Sequence, residues 1–252
     1  MTEHKLSVVK QSGIESLRLK VEGHEAHYLK TGSGPPVVLF HGGASDSRDW
    51  LPVMSLLCQR YSLYAPDILG YGLSEKDSCG YHISDFIDFS VGFIQALGLE
   101  CPVVAGHSLG GRICLDIALH HPVRGLVLVD TAGFGRITPW GSLLNVSAWV
   151  VRRVLGRPQP YPKFLPDDGQ DARWLCLERL PELRVPTLIV WQRFDPYMPL
   201  ATAIRASQLI PGALLAVLPG YGHAPHKKDV RAFSQILAGF LDGSDAGATG
   251  TR

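Results

Sequence analysis

Residues 106–110 read Gly-His-Ser-Leu-Gly, a G-x-S-x-G pattern centred on Ser108. A serine hydroxyl is a poor nucleophile at neutral pH. It needs a base to take its proton and fixed donors for the oxyanion its attack creates. The preceding run, Val103–Gly106, reads as a short buried strand, and Leu109–His120 carries apolar residues at helical spacing. A serine on such a strand-to-helix corner stands above the sheet, with the free N–H groups of the helix start aimed at it. Gly106 and Gly110 are predicted to flank a turn too tight for a Cβ. Chance supplies roughly 0.2 such patterns in a chain of this composition, so the flanking elements carry the inference.

The rest of the chain supplies elements able to hold that corner. Ser16–Val21 and Ala26–Thr31, around Glu22-Gly23, predict an antiparallel hairpin. Apolar runs at Val37–Phe40, Ser62–Ala65, Gly125–Asp130, Thr187–Gln192 and Ala213–Leu218 predict core strands. Helical spacing predicts helices over Asp49–Gln59, Ile83–Leu97, Leu200–Leu209 and Asp229–Leu241. Strand and helix alternate, which predicts an α/β fold: a mostly parallel central sheet with helices on both faces. From about Thr131 to Pro186 the alternation stops. Only helical patterns at Leu143–Leu155 and Asp171–Leu180 remain, on either side of a Pro-rich stretch. An insertion of that length predicts a short helical lid after the sixth strand. The expected division is a core of 1–133 and 186–242, a lid of 134–185 and a disordered tail of 243–252.

Composition narrows the partners. With 24 Lys+Arg against 23 Asp+Glu and no long basic run, nucleic acid is not an expected partner. Five scattered cysteines form neither a disulfide framework nor a zinc pattern, so no metal and no cofactor are expected. The first thirteen residues lack the apolar core of a secretory signal, and no apolar run is long enough to span a bilayer. The expectation is a soluble, cytoplasmic protein without stable membrane insertion, acting on a small molecule; oligomeric state is left open.

Three further motifs complete a set: His-Gly-Gly at 41–43, Asp195 within Trp-Gln-Arg-Phe-Asp-Pro-Tyr-Met-Pro, and His223 within Gly-Tyr-Gly-His-Ala-Pro-His. In this order, with Ser108 between the first two, they resemble the α/β-hydrolase superfamily from about residue 16 to 241. The resemblance implies the α/β-hydrolase fold and a serine hydrolase. Ser108 is the implied nucleophile, His223 the general base and acid, and Asp195 the carboxylate that orients the imidazole. It places the oxyanion donors at the backbone N–H groups of Gly43 and Leu109. Asp130, at the end of the strand after the nucleophile helix, competes with Asp195 for the acid. Asp67 lies in a D-x-x-G-x-G segment with a structural role, and His24 and His27 read as surface residues.

The leading functional reading is hydrolysis of a carboxylic ester or thioester of a small-to-medium apolar substrate. Gly42, Phe134, Trp149 and Arg112 are the expected substrate-binding residues. The alternatives are a C–C bond hydrolase of a vinylogous diketone acid, suggested by Ala-Gly-Phe-Gly at 132–135 and nearby arginines, a cofactor-free cyclase or lyase, and a binding-only receptor. The first of these needs a cation for the substrate carboxylate, and Arg112 is the best-placed candidate.

Overall fold

The computed structural model describes residues 13–77, 79–157, 162–165 and 176–248, the side chains of 244–248 excepted. Eight strands form one sheet: β1 (Glu15–Val21), β2 (His24–Thr31), β3 (Pro36–Phe40), β4 (Ser62–Pro66), β5 (Val103–His107), β6 (Gly125–Val129), β7 (Thr187–Phe194) and β8 (Leu214–Tyr221). Their spatial order is β1-β2-β4-β3-β5-β6-β7-β8. β1 and β2 form the antiparallel hairpin, β2 meets β4 antiparallel, and every pairing from β4 onward is parallel.

The continuous apolar runs have a plain cause, because helices cover both faces of the parallel strands and every residue of β5 and β6 is buried. Side chains alternate between two core layers. Val38 and Phe40 point to the layer containing Phe86, Phe93, Ile113 and Trp191, while Val37 and Leu39 point to the one containing Trp50, Phe233 and Leu237. Truncating any of these to alanine would cost about 2–5 kcal/mol.

Three elements differ from expectation. The first predicted helix is a 3-10 turn, Ser47–Trp50, followed by a helix at Leu51–Leu57, with Pro52 in its first turn. The last helix runs from Val230 to Ala248, well into the stretch expected as a disordered tail, so the boundary at 242 is corrected for residues 243–248. Among the described residues, the insertion between β6 and β7 contains one long helix, Pro139–Val154, and a 3-10 segment, Leu177–Glu182. The start of the helix expected at Asp171–Leu180 lies outside the described residues.

Candidate active site

The G-x-S-x-G corner joins β5 to the Leu109–His120 helix, and Ser108 occupies it with φ 51° and ψ −111°. That backbone is strained for a residue with a side chain. The neighbours enforce it: a Cβ on Gly106 would lie 2.2 Å from the carbonyl of Gly110, and one on Gly110 would lie 2.4 Å from the oxygen of Phe40. Hydrogen bonds pin the corner to the next strand, with Ser108 N–H donating to Val129 O (2.9 Å) and Ala132 N–H to Ser108 O (3.1 Å).

Asp195 follows β7 and His223 follows β8, so both reach the site from the carboxyl ends of parallel strands, where open α/β sheets place their ligands. His223 Nδ1 lies 2.6 Å from Asp195 Oδ2, and His223 Nε2 lies 3.0 Å from Ser108 Oγ. The other carboxylate oxygen of Asp195 accepts from Tyr197 N (2.7 Å) and Met198 N (3.1 Å). With the carboxylate as acceptor, His223 carries its proton on Nδ1 and offers the Nε2 lone pair to the serine hydroxyl.

Asp130 comes only within 4.0 Å of His223 Nδ1 and accepts instead from Gln192 N at 2.8 Å. Its complete burial, and then the adjacent Asp195, push its carboxyl up to about 8. At neutral pH it is largely a neutral acid, unsuited to holding an imidazolium. Geometry and charge both favour Asp195.

The His-Gly-Gly loop lies against the serine: a Cβ on Gly42 would be 3.3 Å from Ser108 Cβ. His41, which opens this motif, sets the loop. Its Nε2 accepts from Ile68 N (2.9 Å), which leaves the proton on Nδ1 to donate to Gly42 O (2.8 Å). Burial depresses the His41 pKa and keeps the ring neutral. Holding the Gly42 carbonyl fixes the peptide plane it shares with Gly43, whose N–H points the opposite way. Leu109 is the first residue of its helix, so its N–H is among the donors without an intrahelical acceptor.

Not every expected residue joins this group. Phe134 is 1% exposed and stacked on Trp191 in the core, a correction to its substrate-binding assignment. Arg112 is buried and ion-paired with Asp116, one helical turn on, and that carboxylate also meets Arg179 at 3.7 Å. Its charge is already committed, which corrects its assignment to a substrate carboxylate. Trp149 stands on the insertion helix, half exposed, with the Arg153 guanidinium 5.7 Å from its ring centre. Tyr197, not anticipated, lies with its ring 5.0 Å from that of His223.

A second serine–histidine–aspartate chain exists elsewhere. Ser16 Oγ lies 2.8 Å from His27 Nε2, and His27 Nδ1 lies 2.8 Å from Asp67 Oδ2. These residues line a cavity of about 370 Å³ with Arg48 and Leu73. His27 is buried, which corrects its reading as a surface residue. The Asp67 carboxylate also accepts from Ser47 N and Leu73 N, both at 2.7 Å. Burial alone would raise its pKa, but the hydrogen bonds from His27, Leu73 and Ser47 outweigh it and hold the group well below the usual carboxylate range. Gly72 serves this carboxylate, since a Cβ there would lie 2.1 Å from Asp67 Oδ2.

Among the described residues, His107, Asp130 and His223 bring potential metal-ligand atoms within 4.8 Å of one another. Both ring nitrogens of His223 already face Ser108 and Asp195, while Asp130 accepts from Gln192 N.

A sequence model described as the alpha/beta hydrolase family matches residues 37–236. The 2-hydroxymuconate semialdehyde hydrolase of Pseudomonas sp. (strain CF600) is 29% identical over 261 residues, covering 86% of this chain and 90% of that protein. Among solved structures, a membrane phospholipase A described as a novel bacterial virulence factor superposes with a TM-score of 0.82 at 22% identity, covering 96% of this chain and 90% of that one. A thermophilic esterase from Thermogutta terrifontis gives 0.73 at 22% identity, with 91% and 99% covered. At such identities the structural likeness is one of fold.

Proposed function

The chain belongs to the alpha/beta hydrolase family, and on that premise we propose that it is a serine hydrolase cleaving a carboxylic ester or thioester of a small-to-medium apolar substrate through an acyl-enzyme on Ser108. The observation that carries this reading is the unbroken relay from Asp195 through His223 to a serine standing at a helix N-terminus.

Ser108 Oγ attacks the carbonyl carbon while His223 Nε2 takes its proton, and Asp195 holds the resulting imidazolium. The developing oxyanion is received by the N–H groups of Leu109 and Gly43, each worth about 3 kcal/mol of barrier. His223 then protonates the leaving alkoxide or thiolate, and a water activated by the same nitrogen releases the acid. Residues 134–185 act as the lid, with Gly42 and Trp149 in the substrate-binding role. No metal or cofactor takes part in this reading. Five free thiols support a reducing compartment, the cytoplasm. The competing C–C hydrolysis needs a cation for the substrate carboxylate, and Arg112 is held by Asp116.

A panel of p-nitrophenyl esters of graded acyl length tests the reading, together with labelling by a fluorophosphonate. Turnover of short-to-medium esters and labelling at Ser108 are expected. Inertness to every ester, with cleavage of a 2-hydroxy-6-oxo-dienoate, would replace it with the C–C reading.

A further inference from the structure

The Pro139–Val154 helix buries almost nothing. Gly141 is its one buried residue, packed against Tyr197 and Ile137. Among the described residues the attachment is at the start: Thr138 Oγ1 accepts from Gly141 N (2.9 Å) and donates to Pro196 O, and Thr138 N–H donates to Tyr197 O (3.0 Å). Beyond that first turn the helix projects with its apolar residues in solvent. Trp140, Leu143, Leu144, Val150, Val151, Val154 and Leu155 recur at i, i+3, i+4, i+10, i+11, i+14 and i+15, one continuous stripe interrupted only by Ser147. Trp140 is 71% exposed and Val154 79%.

The charge around the stripe is one-sided. The helix itself carries Arg152 and Arg153 and no Asp or Glu, and Arg136, Arg157 and Lys163 flank it before Asp167, Asp168 and Asp171 follow, in a chain whose net charge is +1. Arg152 and Arg153 lie to either side of the stripe near its end. A second copy seated stripe to stripe would bring the same helix, which has no carboxylate to meet them. An anionic lipid surface offers the missing charge and an apolar layer in which a Trp and aliphatic stripe can rest.

We propose that the Pro139–Val154 helix is a peripheral docking element that lies in the headgroup layer of an anionic bilayer, apolar stripe inward. No helix among the described residues is long and apolar enough to cross a membrane, so the attachment is at the surface. It holds whatever substrate Ser108 acts on.

The test mixes the full chain with phosphatidylcholine vesicles, with or without phosphatidylglycerol, and floats them on a density gradient. The protein is expected to rise with the phosphatidylglycerol vesicles, to rise far less with phosphatidylcholine alone, and to be released by added salt. Arg152→Gln with Arg153→Gln should lower the partition coefficient roughly thirtyfold. Leu144→Ser with Val151→Ser should lower it by at least about tenfold. Unchanged melting temperatures establish that these variants fold. The proposal is overturned if the wild type floats with neither vesicle or if both double variants float as well as it does. It is equally overturned if the stripe variant turns a dimer into a monomer in sedimentation velocity without changing flotation, which would make a second copy the occupant.

Discussion

Among the described residues, two places join a serine to a histidine and that histidine to a buried aspartate, with hydrogen bonds of nearly equal length. The Ser108 chain measures 3.0 and 2.6 Å and the Ser16 chain 2.8 and 2.8 Å. What differs is the setting. Ser108 stands at φ 51° on a glycine-flanked corner at the start of a helix, whereas Ser16 lies within edge strand β1, opposite Leu29. The aspartates are alike in donor number, each accepting from its histidine and two backbone N–H groups. Around Asp67 a further chain ties β2 to the 67–74 loop: His27 N–H donates to Ser74 Oγ (2.9 Å), and Ser74 Oγ donates to the Asp67 backbone carbonyl (2.6 Å). The relay alone is a way of satisfying a buried histidine and carboxylate. Donors for an oxyanion and a strained, projecting serine are what the proposed acyl chemistry adds to it.

Four substitutions separate the two serine chains. Ser108→Ala should lower kcat on a p-nitrophenyl ester by a factor on the order of 10⁶ while the fold survives. A fluorophosphonate should label Ser108 and spare Ser16, and labelling of Ser16 in that variant would erase the distinction between the two chains. Asp195→Asn should cost roughly 10⁴ in kcat through the wrong imidazole tautomer, read as kcat with little change in KM. Asp67→Ala should act on the other axis, lowering stability by about 3–5 kcal/mol in denaturant unfolding by leaving His27 and two backbone donors without their acceptor. Its folded fraction should keep its kcat. Ser16→Ala should be the mildest, within about 0.5 kcal/mol of wild type and without effect on turnover.

Asp130 adds a pH test to the same contrast. Its folded pKa, about 8, lies above the unfolded value of about 3.9, so the folded state binds more protons between those limits and stability falls as pH rises through them. Asp130→Asn removes that penalty. The variant should gain on wild type in melting temperature from about pH 4 to pH 8, and a constant difference across this range would show that the carboxyl is ionised in the fold.

Much of this was legible in the sequence, because corner, helix and strands are local patterns. Gly106, Ser108 and Gly110 sit within five residues, and the continuous apolar runs follow from burial on both faces. The second relay was not legible. Ser16 meets His27 only through the β1–β2 register, and Asp67 reaches His27 only because β2 and β4 are neighbours. Periodicity likewise identifies the helical stretch containing Leu143–Leu155 but not what covers it. For Phe134 and Arg112, residue type suggested a ligand contact, while the direction of the side chain was decided by Trp191 and Asp116, both distant in chain or hidden by helix phase.

The clip at Thr138 has a mechanical consequence. The projecting helix is a rod about 24 Å long, pinned at one end to the two residues that directly follow Asp195. Movement of a rod held at its start is smallest at that hold. A swing that carries Val154 and Leu155 through several ångströms therefore leaves Pro196 and Tyr197 nearly still, and with them the carboxylate that Tyr197 and Met198 hold. The far turns of the helix can therefore differ in sequence without retuning the acid.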